Sequence, residues 1–102
     1  MGEHKLKTDP AVYDAVRTGV KTFEIRFDDR GYQAGDILIL CKTRYTGAEM
    51  VAGAMLDYVD GKITCEVKYI LRGPIYGLAN GWCIMSIEVK NIATNEEVKR
   101  NG

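Results

Sequence analysis

The chain has 102 residues, 46% hydrophobic and 27% charged, a balance that suits one ordinary folded domain and is too short for two cores. Fourteen basic residues offset fourteen acidic ones, so no bulk positive field exists to wrap duplex nucleic acid, and any nucleic-acid contact has to be a local pocket. No apolar run approaches the roughly 20 residues of a membrane span, and Met1–Lys7 shows no charged-then-apolar leader, so a membrane protein is excluded and the cytoplasm is the expected compartment.

In chain order, His4-Lys5-Leu6-Lys7 alternates polar and apolar residues and reads as a short strand at a sheet edge. Asp9-Pro10 supplies an N-cap and a first helical position, predicting a helix from Pro10 to about Thr18. Val12, Ala15 and Val16 fall on one stripe of it, and Asp14 and Arg17 on the other. Gly19 is suited to the left-handed conformation that ends a helix. The octet Gly19-Val20-Lys21-Thr22-Phe23-Glu24-Ile25-Arg26 then opens a strand. Its alternation assigns Phe23, Ile25 and Phe27 to the core, and Thr22, Glu24 and Arg26 to the opposite face.

Asp28-Asp29-Arg30-Gly31 and Ala34-Gly35-Asp36 carry turn chemistry, with Tyr32 placed in the exposed loop between them. The continuous apolar run Ile37-Leu38-Ile39-Leu40-Cys41 predicts a core strand covered on both faces. Residues 43–58 fit a short helix or a strand, with strand favoured at the end. Asp60-Gly61 signals a hairpin pairing Met55–Val59 with Lys62–Leu71, in which Ile63, Cys65, Val67, Tyr69 and Leu71 share a buried face. The glycine-rich stretch Gly73–Gly81 is expected to border the site, and Trp82–Val89 is a closing core strand. Asn91–Gly102 reads as a polar extension, giving a domain over 4–90 and an extension over 91–102. One helix and about five strands predict an α+β fold, a small, mixed, partly closed β-barrel with the helix packed against it.

Cys41, Cys65 and Cys83 each fall inside an apolar strand and read as reduced core thiols. No C-x₂-C pair supports a Cys₃His metal site with His4, and Asp28-Asp29 is better suited to a turn closing onto Arg30 than to a metal. His4, the one histidine, is assigned to a strand edge or a cleft cap.

Five blocks in order, His4–Lys7, Gly19–Arg26, Asp28–Tyr32, Gly35–Leu40 and Gly77–Ile87, resemble DUF3850 proteins of the ASCH branch of the PUA-like superfamily, over most of residues 4–89. The resemblance implies a PUA-like (ASCH) barrel with a cleft between helix and barrel, and the wider superfamily is associated mainly with RNA recognition. One ASCH subgroup is similar in fold yet hydrolyses N4-acetylcytidine, using a lysine at the position of Lys21 and a threonine where this chain has Glu24, together with a later glutamate.

Two functional expectations follow. In the first, the domain binds RNA or a nucleotide-like small molecule without a metal or cofactor: Lys21, Arg26, Arg30 and Lys7 meet phosphate, Glu24 accepts from a base edge, and Tyr32 or Trp82 stacks. Against it stands a plain Arg26–Glu24 surface pair, with Trp82 in the core. In the second, an amidohydrolase uses Lys21 and Glu24; an adjacent carboxylate works against a free-amine lysine unless Glu24 is itself the proton acceptor.

Overall fold

The computed structural model describes residues 2–93. Its elements are β1 (Glu3–Thr8), α1 (Pro10–Arg17), β2 (Phe23–Phe27), β3 (Ile37–Thr43), α2 (Gly47–Val51), β4 (Tyr58–Arg72) and β5 (Trp82–Ala93). The strands form one mixed sheet in the order β1-β3-β4-β5-β2, with β1 parallel to β3 and every other pairing antiparallel. It curls into a half-barrel, so the fold is the expected small α+β barrel. The first two strands of the chain are the two outer edges. No helix among the described residues is long and apolar enough to cross a membrane.

The concave side is filled by Leu38 and Leu40 of β3, Ile63, Cys65 and Val67 of β4, and Cys83, Met85 and Ile87 of β5. Tyr13 and Val16 of α1 and Leu6 of β1 close over them. Burying each large aliphatic side chain contributes about 1.5–3 kcal/mol, so this strip is the main source of stability. The three cysteines are buried and unpaired, as expected of core thiols.

Several expectations are corrected by how this core is built. On α1, Tyr13 is buried with Val16, while Val12 and Ala15 are only partly covered. Asp9 is the N-cap residue, yet its carboxylate bonds the Gly47 N–H and not its own helix. In β3 the inner residues Leu38 and Leu40 are fully buried, but Ile37 and Ile39 are covered only in part. Residues 47–51 are helix, started by a capping box between Thr46 and Glu49.

Asp60-Gly61 makes no hairpin. Tyr58 already pairs with Thr43 of β3 and Lys62 with Cys41, so the chain runs on through a bulge in which Gly61 takes a φ of 86°. A further register shift after Val67 turns Tyr69 to solvent and brings Ile70 against the core, breaking the single buried face predicted for β4. Asn91, Ile92 and Ala93 continue β5 opposite Thr64, Ile63 and Lys62, so the polar extension does not begin at 91; the rest of it, 94–102, lies outside the described residues.

The β2–β3 connection is pinned by two carboxylates. Asp36, 2% exposed, accepts from the Gly2 and Gln33 N–H groups and sits 2.9 Å from His4 Nε2, tying the start of β1 to the start of β3. Burial acts to raise its pKa, but the Gly2 N–H, His4 and the Gln33 N–H outweigh it and leave the carboxyl below its ordinary 3.8. Because the folded value is depressed, this stability is complete above about pH 4 and drains as pH falls through the folded pKa. Asp36→Asn is therefore expected to cost about 1–3 kcal/mol in denaturant unfolding at pH 7, with the gap to wild type shrinking below pH 4. In the 73–81 loop, a Cβ on Gly73 would stand 2.1 Å from the Ala79 carbonyl oxygen and 2.7 Å from that of Leu78. Gly73→Ala should accordingly lower stability by roughly 1–3 kcal/mol or more, read as a lowered denaturant midpoint.

Candidate functional site

Gly19, at a φ of 82°, reverses the chain after α1, and the Lys21 N–H bonds back to the Ala15 carbonyl at 3.0 Å. This fixes the Lys21 ammonium above the first residues of β2. The strand then pairs with β5 so that Glu24 lies opposite Met85 and Arg26 opposite Cys83, both inward-facing residues with no exposed surface. The polar set of β2 therefore points into the barrel. Phe23, Ile25 and Phe27, assigned by alternation to the core, face outward and are about half exposed.

Glu24 is 2% exposed and holds both oxygens on cations. Lys21 Nζ donates to Oε1 at 3.0 Å and also to the Phe23 carbonyl. Arg26 Nε donates to Oε2 at 3.1 Å, and its Nη2 donates to the Lys7 carbonyl at 3.0 Å. That last bond joins β2 to β1, the opposite edge of the sheet, across the gap of the half-barrel. The Arg26–Glu24 contact is thus no surface decoration. Lys21 and Arg26 remain 17% and 25% exposed, so part of each cation meets solvent.

What they meet is a cleft of about 430 Å³ along the seam between β1 and β2. All seven candidate residues, Lys7, Lys21, Glu24, Arg26, Arg30, Tyr32 and Trp82, line it. Their roles differ from those expected. Tyr32 is buried, not exposed in its loop: its ring packs edge-on against His4 at 4.9 Å and forms a wall, which removes it as a stacking platform. Trp82 is 41% exposed at the lip, not core. Arg30 is at the rim, 3.9 Å from Asp29. The cleft sets four cations, Lys7, Lys21, Arg26 and Arg30, against the carboxylates of Asp9, Glu24 and Asp29. No residue of Gly73–Gly81 lines it; that loop supports the lining from behind, with Gly81 under the Phe27 ring and the Ala79 carbonyl accepting from the Trp82 N–H.

Two contributors escaped the sequence reading. Arg72 pairs with Asp28 and donates to the Tyr32 carbonyl, so Asp28 closes onto Arg72 and not Arg30. Burial acts to raise the Asp28 pKa, but the Tyr32 N–H, Arg72 and the Gly31 N–H outweigh it and hold the carboxyl below its ordinary value. Only the arginine's charge, 44 positions away, was visible in the sequence. Phe27 lines the cleft after being assigned to the core. Behind Glu24, burial and then the carboxylate's own charge push the Cys65 thiol up to about 11, so Cys65 is a thiol and not a thiolate nucleophile at neutral pH. Among the described residues no three His, Cys, Asp or Glu side chains are grouped to hold a metal ion.

If Glu24 holds two cations together, Glu24→Ala leaves them adjacent and uncompensated, at a cost of about 3 kcal/mol. Sulfate or phosphate, able to replace the carboxylate, should raise the melting temperature of Glu24→Ala more than that of wild type. Equal shifts in the variant and the wild type would show that the cations are not held by this charge.

A family model described as Domain of unknown function (DUF3850) matches residues 3–87, a span that includes every residue lining the cleft. A comparison with curated proteins finds no match. The family model covers most of the chain, from the start of β1 to Ile87 of β5, and the chain belongs to the DUF3850 family.

Proposed function

We propose that the protein is a binding module that holds RNA or a nucleotide-like small molecule in the seam cleft, with a phosphate on Lys21 and Arg26. The observation that carries this is the pairing of a buried carboxylate with two partly exposed cations that line the same cleft. Glu24 fixes both groups in place before any ligand arrives, and neither uses its whole donor set on the protein. An arginine fork suits phosphate oxygens, and a preset donor loses less side-chain freedom on binding. With both oxygens occupied and almost no exposed surface, Glu24 acts as a positioning residue and not as the acceptor for a base edge. The likeness to the ASCH branch of PUA-like domains supports the same reading.

The hydrolase alternative asks Lys21 for a free lone pair. Its Nζ instead donates to a carboxylate and to a carbonyl, which suits a ligand-holding cation better than a base. Titrating labelled single-stranded RNA and a nucleoside monophosphate by fluorescence anisotropy tests the proposal. Lys21→Ala is expected to weaken both by roughly tenfold, the loss of one charge-assisted hydrogen bond. The salt dependence should be shallow, since only a few cations are engaged. Hydrolysis of N4-acetylcytidine that disappears in Lys21→Ala would replace the binding reading with catalysis.

A further inference from the structure

The outward face of β2 presents Phe23, Ile25 and Phe27 in a row, and their partners on β5 are Ser86, Ile84 and Trp82. The Lys21 ammonium sits over the Phe23 ring, 4.7 Å from its centre, at one end of this row; Ile25, Phe27, Ile84 and Trp82 continue it as apolar surface, although β2 is an edge strand, where exposed apolar surface invites unwanted association. Phe27 and Trp82 lie directly opposite each other, edge to face with centroids 6.0 Å apart, and are 53% and 41% exposed. The Phe27 ring also rests on Gly81: a Cβ there would stand 2.7 Å from its Cε2, so the absence of a side chain makes the seat for the ring.

We infer that Phe27 and Trp82 are a base-stacking platform at the lip of the cleft, and that the ligand is a single strand of nucleic acid longer than one nucleotide. One base stacks on the face of one of these rings, with the other ring against its side, outside the cleft while a neighbouring phosphate sits on Lys21 and Arg26 inside it. This rests on the nucleotide reading above and narrows it. The patch is continuous with the charged cleft, because Phe27 and Trp82 line both. An exposed ring face beside a cation is the surface that a base and its phosphate match together, and stacking of this kind tolerates any base. A neutral chain has no bulk field to offer, so local stacking supplies the affinity that charge does not. A second copy adding itself to β2 is disfavoured. The free edge of that strand faces the cleft, where Lys21 takes the Phe23 carbonyl and Arg26 reaches across to the Lys7 carbonyl.

Trp82 is the one tryptophan in the chain, so its emission reports the event directly. An RNA octamer of uridines should quench it with the same midpoint as anisotropy and bind at least tenfold tighter than uridine monophosphate. Phe27→Leu, which keeps the reporter, and Trp82→Leu, followed by anisotropy, should each weaken octamer binding by roughly fivefold or more, the loss of one stacking partner. Each should weaken monophosphate binding by less than it weakens octamer binding, and melting temperatures near wild type confirm that both variants fold. If both ligands bind equally well and only Lys21→Ala matters, the platform falls while the cleft reading stands. If neither ligand binds, both fall. If sedimentation shows a dimer that Phe27→Leu dissociates without any effect on RNA, the face joins two copies of the chain and the platform falls.

Discussion

A carboxylate that is almost fully enclosed must be neutralised where it stands, and Glu24 meets that demand with an ammonium on one oxygen and a guanidinium on the other. Much of the architecture around it follows. The turn at Gly19 brings Lys21 back over the strand, the pairing of β2 with β5 sends Glu24 and Arg26 inward, and the apolar members of the same strand are left outside. A strand whose interior is charged and whose exterior is greasy is the reverse of the usual arrangement. It is stable here because the inward carboxylate is paired on both oxygens and its two cations open partly onto the cleft.

Arg26 has a second duty. With the sheet ordered β1-β3-β4-β5-β2, no ladder joins the outer strands, and one guanidinium hydrogen bond to the Lys7 carbonyl spans the opening. The same group thus neutralises Glu24, holds the seam at a fixed width and offers its remaining donors to the cleft. Asp28 with Arg72, and Asp36 with His4, stiffen the loop that carries Arg30 and Tyr32 along one wall.

Much of this was legible in the residues. Pro10 and Gly19 mark the ends of α1, the run at 37–41 gives an inner strand of the sheet, and all seven candidate residues do meet in one cleft. What alternation could not reveal was its sign: it separates Phe23, Ile25 and Phe27 from Glu24 and Arg26 but does not say which set faces in. Met85 and Cys83 decide that across the ladder, about 60 residues later. The fate of Tyr69 and of Asp60-Gly61 hung on bulges, which add a residue without leaving a clear mark in composition. Tyr32 looked like an exposed loop residue because its burial comes from His4 and the first strand, not from its neighbours in sequence.

The topology carries one more consequence. Lys7 and Arg26 are separated by only 19 positions, yet the path between them through the sheet crosses every strand in turn. The cleft is therefore a gauge of the entire ladder: a slipped register anywhere between β3 and β5 would part its two walls. A change in the middle of β4, remote from the cleft, would be felt as altered spacing of its walls before it was felt as unfolding.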